Sequence, residues 1–310
     1  MLNEHCALGI MSTAVSKRAF RCGTVAIVGR PNVGKSTLLN RLLGQKLAIT
    51  SRRPQTTRHR LAGVLSNDSE QLILLDSPGF QTARGGGMNK YLNRTARQVA
   101  QDADLTLLVI DGHRWTPEDA EALAIIPANA TVILVPNKTD AIDNAARLHA
   151  TIKSATELRR FADVVPVSAR NGKQVELLLK TCAQHLPIGP ALYAADDLTD
   201  RSERFLAAEL IREKLFRLLG DELPYESTVI IDSFEAGKTL TRIAATILVA
   251  REAQKPIVLG AKGERMKKIA SQSRLDLEKL LATKIFLEVF VKVRSGWADS
   301  EQSLRAYGYE

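Results

Sequence analysis

Gly29-Arg30-Pro31-Asn32-Val33-Gly34-Lys35-Ser36-Thr37 fits the spacing G-x-x-x-x-G-K-[ST] of a phosphate-binding loop. The apolar run Thr24–Val28 stands just before it, and the helix-like run Leu38–Leu43 just after. That strand–loop–helix context is the one in which such a loop works. Glycines let the backbone wrap a polyphosphate, successive N–H groups point inward, and the helix N-terminus adds partial positive charge. Lys35 is placed to reach the β- and γ-phosphates, and the Ser36 hydroxyl to ligate Mg²⁺.

Working outward, short apolar runs at 24–28, 72–75, 105–110, 131–135 and 164–167 alternate with helical patterns at 88–101, 117–126, 142–160 and 173–186. Such alternation predicts an α/β fold, a mostly parallel sheet with helices on both faces. Ligands then sit at the carboxyl ends of the strands, and polar motifs fall there. Leu72–Leu75 runs into Asp76-Ser77-Pro78-Gly79-Phe80. By itself this is an ordinary turn. Beside a phosphate loop, Asp76 is a candidate Mg²⁺ ligand and the Gly79 N–H a candidate donor to a γ-phosphate. Val132–Pro136 runs into Asn137-Lys138-Thr139-Asp140, which matches N-K-x-D. A carboxylate there accepts from guanine N1–H and the 2-amino group together, a pair adenine does not offer. Lys138 can lay its stem across the ring. The strand at 164–167 ends in Ser168-Ala169-Arg170, where a backbone N–H is expected to meet the guanine O6.

Between Gly44 and Arg60 lies a polar, basic loop containing Thr56 and Thr57. One threonine of such a loop is expected to reach Mg²⁺ and sense the γ-phosphate. Thr57 is favoured because it immediately precedes Arg58, which is read as opening the next strand. From Arg41 to Asn67 there are six Lys and Arg and no acid. That run is either a solvated face or a surface for RNA. A second candidate mobile segment is Gln81–Gly87. Lys35, Thr57 and Gly79 are thus the candidate catalytic groups.

At 310 residues and 45% hydrophobic content, two domains are affordable. The net charge of +9 is concentrated in the first 196 residues, which carry +8, so the second half can bind an anion only through local patches. Three widely spaced cysteines with no C-x-x-C indicate a reducing compartment without disulfides or zinc. No apolar run approaches the ~18 residues that span a membrane. The N-terminal 21 residues lack a signal-peptide core and read as a flexible tail, with Met11 an alternative start.

Leu186-Pro187-Ile188-Gly189-Pro190 breaks the last helix of the first part. The expected division is a tail over 1–21, a nucleotide domain over 22–187, a linker over 188–200 and a second domain over 201–310. In the latter a helix from Ser202 to Leu219 precedes strands at 227–234 and 239–251. Next comes Gly260-Ala261-Lys262-Gly263, a G-x-x-G opening a basic helix with Arg265, Lys267 and Lys268. In KH domains this arrangement clamps a single-stranded backbone. Alone it is also an ordinary helix-start turn, but five Lys and Arg against one acid between Lys255 and Lys268 favour RNA. The order helix–strand–strand–helix–helix–strand resembles a type II KH fold.

The motifs Gly29–Thr37, Gln55–His59, Asp76–Gly79, Asn137–Asp140 and Ser168–Arg170 resemble, in order and spacing, a translational-type small GTPase. The loop Q-T-T-R-H, with 291–297 and 304–309 at the C-terminus, is similar to the Era family of bacterial ribosome-assembly GTPases. The likeness covers roughly residues 22–310. Departures are Ser77 for the usual Thr, Arg170 for the usual Lys, and Ala261-Lys262 inside the clamp. The resemblance implies GTP/GDP and Mg²⁺ as ligands, and a KH domain gripping the 3′ end of 16S rRNA during 30S maturation. It further implies a cytoplasmic monomer, with at most weak peripheral contact with the inner membrane. It implies a K⁺ ion beside the phosphates, held by Asn32. Like the family, this chain has an apolar residue, Phe80, where Ras-like enzymes carry a water-orienting glutamine, so slow intrinsic hydrolysis is expected. Phe80 also leaves open an RNA-binding module with a structural, non-hydrolysing nucleotide site. A tRNA-modifying GTPase would carry a cysteine near its C-terminus, whereas the last cysteine here is Cys182.

Overall fold

In the computed structural model, residues 19–51, 53–80, 87–220, 223 and 225–297 are described. Six strands form one sheet and three another. The first sheet comprises β1 (Arg21–Val28), β2 (Leu61–Ser66), β3 (Glu70–Asp76), β4 (Leu105–Asp111), β5 (Val132–Asn137) and β6 (Asp163–Val164), in the order β2-β3-β1-β4-β5-β6. Only β2 runs antiparallel. β1, β3, β4 and β5 are near-continuous apolar runs because helices cover both faces.

Five helices do the covering: α1 (Lys35–Leu43), α2 (Gly87–Gln101), α3 (Pro117–Ala124), α4 (Ala145–Thr156) and α5 (Val175–His185). On α1, Leu38, Leu39 and Leu42 face the sheet; each stabilises by roughly 1.5–3 kcal/mol when fully buried. Gly44, left-handed, ends the helix with its N–H on the Arg41 carbonyl. Thr116 and Asp119 form a reciprocal capping box on α3, with Pro117 at the first helical position. One core lies between the sheet and α1 and α5, the other on the α2, α3 and α4 side.

The strand expected to open at Arg58 begins at Leu61 instead. Gly63 lets β2 approach α1 closely; a Cβ there would lie 2.5 Å from Leu43 Cδ1. β1 starts at Arg21, inside the stretch read as a tail, because Phe20 packs on the second of those cores. Residues 1–18, most of 81–87 and the C-terminal motif 304–309 lie outside the described residues, and Gly87 opens α2. The segment 188–200 follows the β2–β3 edge. Val64 N–H donates to the Leu198 carbonyl at 2.9 Å, and buried Gln71 accepts from the N–H groups of Leu192 and Tyr193.

The second sheet joins β7 (Ser227–Glu235), β8 (Leu240–Val249) and β9 (Lys284–Val293), with β7–β8 antiparallel and β8–β9 parallel. Helices α6 (Glu203–Leu218), α7 (Gln254–Leu259) and α8 (Glu264–Leu281) cover one face. α6 carries the expected apolar stripe into that core through Ala207, Leu210, Ile211 and Leu215. It is not amphipathic, however. Arg212, Glu213 and Lys214 are buried as well, because Arg212 and Glu213 face the loop 46–59 and Lys214 pairs with Asp276 of α8.

Candidate nucleotide-binding site

The loop 29–34 connects β1 to α1 and passes between the tips of β3, β4 and β5. At Gly34, φ is 102°, and a Cβ would stand 2.4 Å from Asn137 Nδ2. At Gly79 a Cβ would meet the Pro31 nitrogen at 2.7 Å. A side chain at either position would collide, with Asn137 at Gly34 and with Pro31 at Gly79. Lys35 Nζ donates to the Gly29 and Arg30 carbonyls, both at 2.9 Å, so its head is curled under the loop. Burial pulls its pKa down to about 8, with Asp76 opposing the shift. A buried cation facing carbonyl dipoles is a ready partner for phosphate oxygens. Asn32 sits at the loop apex, exposed and left-handed at φ 64°.

Three oxygens converge beside it. Ser36 Oγ donates to Asp76 Oδ2 at 2.7 Å and lies 2.8 Å from Thr57 Oγ1, which donates to the same oxygen at 3.3 Å. The Asp76 carboxylate is fully buried, its pKa pushed up by burial, and its Oδ1 has no hydrogen-bond partner among the described residues. Two hydroxyls and an under-satisfied buried carboxylate form an all-oxygen set of the kind Mg²⁺ prefers. Thr57, and not Thr56, joins it: Thr56 Oγ1 is spent on the Arg53 carbonyl and Ser51 Oγ.

Asn137 ties the 137–140 loop and the 29–34 loop together. Its Nδ2 donates to the Val33 carbonyl at 2.8 Å, and its Oδ1 accepts from Ala169 N–H at 3.0 Å. The latter bond engages the N–H nearest the expected O6 contact, so a purine O6 would have to share it. Ser168 Oγ donates to Asp140 Oδ1 at 2.6 Å, orienting an otherwise exposed carboxylate. Lys138, left-handed at φ 66°, donates to Asp111 Oδ2 at 2.8 Å. Asp111 also binds His113, and these bonds hold its pKa down to about 2 against burial.

Some residues of the motifs face elsewhere. The Arg30 guanidinium is held by Asp119 at 3.0 Å, so only its backbone faces the loop. Ser77 Oγ donates to the Ile27 carbonyl, and the Val33 side chain is core. Phe80 is 2% exposed, with Arg97 5.3 Å over its ring. Pro31, Thr37 and Thr139 are not fully buried and, with buried Pro78, complete the surrounding loops.

Among the described residues of the basic run from Arg41 to Asn67, each Lys and Arg has a partner within the chain, while Arg41, Lys46 and Arg60 stay exposed. Lys46 pairs with Glu213 and Asp276, Arg53 donates to the Gly220 carbonyl, Arg60 pairs with Asp200, and Arg41 caps the Ala169 and Arg170 carbonyls. Arg58 is wholly buried. It donates to the Ser227 and Tyr225 carbonyls at 2.9 and 3.0 Å and lies over the rings of Phe216 and Trp297. No periodicity signals these pairings, because each partner lies more than a hundred residues away in sequence.

In the second part, Gly260–Gly263 forms the turn between α7 and α8. Lys262 is exposed at its tip, left-handed at φ 50°. Lys267 and Lys268 are exposed on the first turns of α8. Arg265 is turned back and donates to the Ile257 carbonyl, so it braces the turn more than it projects from it.

Residues 24–138 match the family described as "50S ribosome-binding GTPase", and residues 222–298 match the KH domain family. The chain is 48% identical to a protein named GTPase Era from Bordetella avium over 296 residues, 96% of this chain and all of that one. It is 48% identical to GTPase Era from Pseudomonas putida over 93% of this chain and 97% of that one. Among solved structures it is similar to a variant of Aquifex aeolicus Era bound to GDP·AlF4⁻ (TM-score 0.90, 38% identity). It is also similar to Era in complex with MgGDPNP and nucleotides 1506–1542 of 16S ribosomal RNA (TM-score 0.89, 38% identity). Each of these two covers 94% of this chain and is itself covered to 99%.

Proposed function

The chain belongs to the Era family of GTPases, and from that premise we propose that it is a GTP-dependent switch gripping the 3′ end of 16S rRNA during 30S assembly. The single observation that carries the switch is the convergence of Ser36, Thr57 and Asp76 oxygens within 3.3 Å beside the buried Lys35 ammonium.

Backbone N–H groups of the 29–37 loop and Lys35 bind the phosphates. Ser36, Thr57 and Asp76 hold Mg²⁺, which when bound neutralises charge developing on the phosphoryl oxygens. The Gly79 N–H faces the γ-phosphate. Phe80 is buried beneath Arg97 and offers no group to orient water, which supports slow hydrolysis in the absence of a trigger. Asp140 reads the guanine edge, Lys138 lies across the ring, and Asn137 and Ala169 frame it. Asn32 would offer its side-chain oxygen to a K⁺ ion beside the phosphates. GTP orders the Thr57 loop, and hydrolysis releases it. The second part, placed at 201–310 after a linker at 188–200, presents Gly260–Gly263, Lys262, Lys267 and Lys268 to the RNA backbone.

Among the described residues no helix is long and apolar enough to cross a membrane. We place the protein in the cytoplasm as a monomer, with any contact with the inner membrane peripheral. The test is phosphate release from GTP, with ATP as control, with and without a 3′-terminal 16S rRNA fragment. Release specific to GTP and raised by the fragment is expected. ATP turnover at a comparable rate, or indifference to the RNA, would reject the reading.

A further inference from the structure

We propose that Arg212, on α6 of the second part, is a positioning residue for Thr57 in GTP hydrolysis. The inference rests on the reading of Thr57 as the metal and γ-phosphate residue. The peptide carrying Thr57 is held on both sides by the second part. On the N-terminal side Arg212 Nη2 donates to the Thr56 carbonyl at 2.6 Å. On the C-terminal side the Arg58 guanidinium donates to the Ser227 and Tyr225 carbonyls. Between them the Thr57 hydroxyl is turned the other way, into the Ser36–Asp76 cluster.

Arg212 is built to stay where it is. Its side chain is 1% exposed, its fork is matched by both Glu209 oxygens at 2.7 and 2.5 Å, and its guanidinium lies 5.3 Å over the Phe216 ring. The Thr50 N–H, further back in the same loop, is fixed by Glu213 of α6 at 2.9 Å. Ordering a loop residue costs backbone entropy. Fastening the Thr56 carbonyl to a pre-set guanidinium removes part of that cost from the step in which Thr57 meets GTP. GDP has no γ-phosphate for that threonine to sense, so its binding should not depend on the brace.

The experiment compares full-length Arg212→Gln, Arg212→Lys and Glu209→Gln with Thr57→Ala and wild type. It measures Kd for GDP and for GTPγS with Mg²⁺, and kcat and KM for GTP. A hydrogen bond from a charged donor is worth roughly 1.5–3 kcal/mol, about 10–100-fold. Arg212→Gln should lower GTPγS affinity and kcat by roughly tenfold or more, with GDP affinity kept within about twofold of wild type. Arg212→Lys should retain part of both, and Glu209→Gln, a milder change, should move the same way if Arg212→Gln does not fold. Equal losses for GDP and GTPγS would mark a merely structural role and overturn the proposal. So would a wild-type GTPγS-to-GDP ratio and kcat in the Arg212 variants, while Thr57→Ala loses both. Should Thr57→Ala also keep the wild-type ratio, the reading of Thr57 itself fails.

Discussion

Asn137 donates its side-chain amide to the Val33 carbonyl at 2.8 Å, across 104 residues of sequence. One side chain thereby sets the distance between the 137–140 loop, proposed to read the base, and the 29–37 loop, proposed to cradle the phosphates. Removing it leaves the Val33 carbonyl and the Ala169 N–H without that partner and frees the two loops from each other, of which about 1–3 kcal/mol in total is expected to appear as lost affinity. Asn137→Ala should therefore weaken GDP and GTPγS alike, by roughly 10- to 100-fold. Calorimetry with both nucleotides checks this, and a loss confined to one of them would contradict it.

Lys35 predicts proton uptake on binding. Burial holds the free site's ammonium down to about 8, and phosphate oxygens beside it favour the charged form. Between pH 8 and the ordinary lysine range the complex then binds more protons than the free protein. Affinity is insensitive to this group below about pH 8 and falls as pH rises beyond it. Titrating GDP at pH 8.5 in buffers of different ionisation enthalpy should show net uptake, and zero uptake would contradict the assignment.

His59 predicts an acid-sensitive junction. It packs edge-on against Phe205 at 5.2 Å, and burial lowers its pKa to about 4, with Arg212, Arg201 and Arg58 lowering it further and Glu209 opposing. As pH falls below 6.5 the unfolded chain takes the proton first. Stability from this residue is complete above about 6.5 and is lost toward pH 4, by up to about 3 kcal/mol. Denaturant unfolding of wild type and His59→Gln at pH 7, 5.5 and 4.5 should show the flatter profile in the variant.

Lys262 and Lys267 are exposed around the G-x-x-G turn. Replacing both with Ala should weaken binding of a 16S 3′-end RNA and lower the salt slope of log affinity by roughly 1–2. RNA-free GTP hydrolysis should be unchanged. An unchanged slope would remove these lysines from the RNA surface.

Asn32, left-handed and exposed at the loop apex, predicts monovalent-ion dependence. Hydrolysis should be faster in K⁺ than in Na⁺ for wild type, and equal in the two salts for Asn32→Ala. Equal wild-type rates would remove the K⁺ site.

What the sequence determined by itself was everything set by local spacing. The glycine pattern at 29–34, the acid ending the strand before Ser77, and N-K-x-D at 137–140 are short-range statements of backbone shape and side-chain chemistry. The alternation of apolar runs then fixes which ends of the strands bring them together. What only the tertiary structure decided was what meets across long separations. Arg41–Asn67 reads as one basic stretch, yet its described cations find Glu213, Asp276, Asp200 and backbone carbonyls far along the chain. Arg212, Glu213 and Lys214 are three consecutive charges, yet all are buried. A charge carries no local mark of the partner it will find, because Coulomb and hydrogen-bond complementarity act between surfaces brought together only when both cores have formed. The same is true of Phe80, whose apolar character was legible but whose place beneath Arg97 depended on how α2 packs on the sheet.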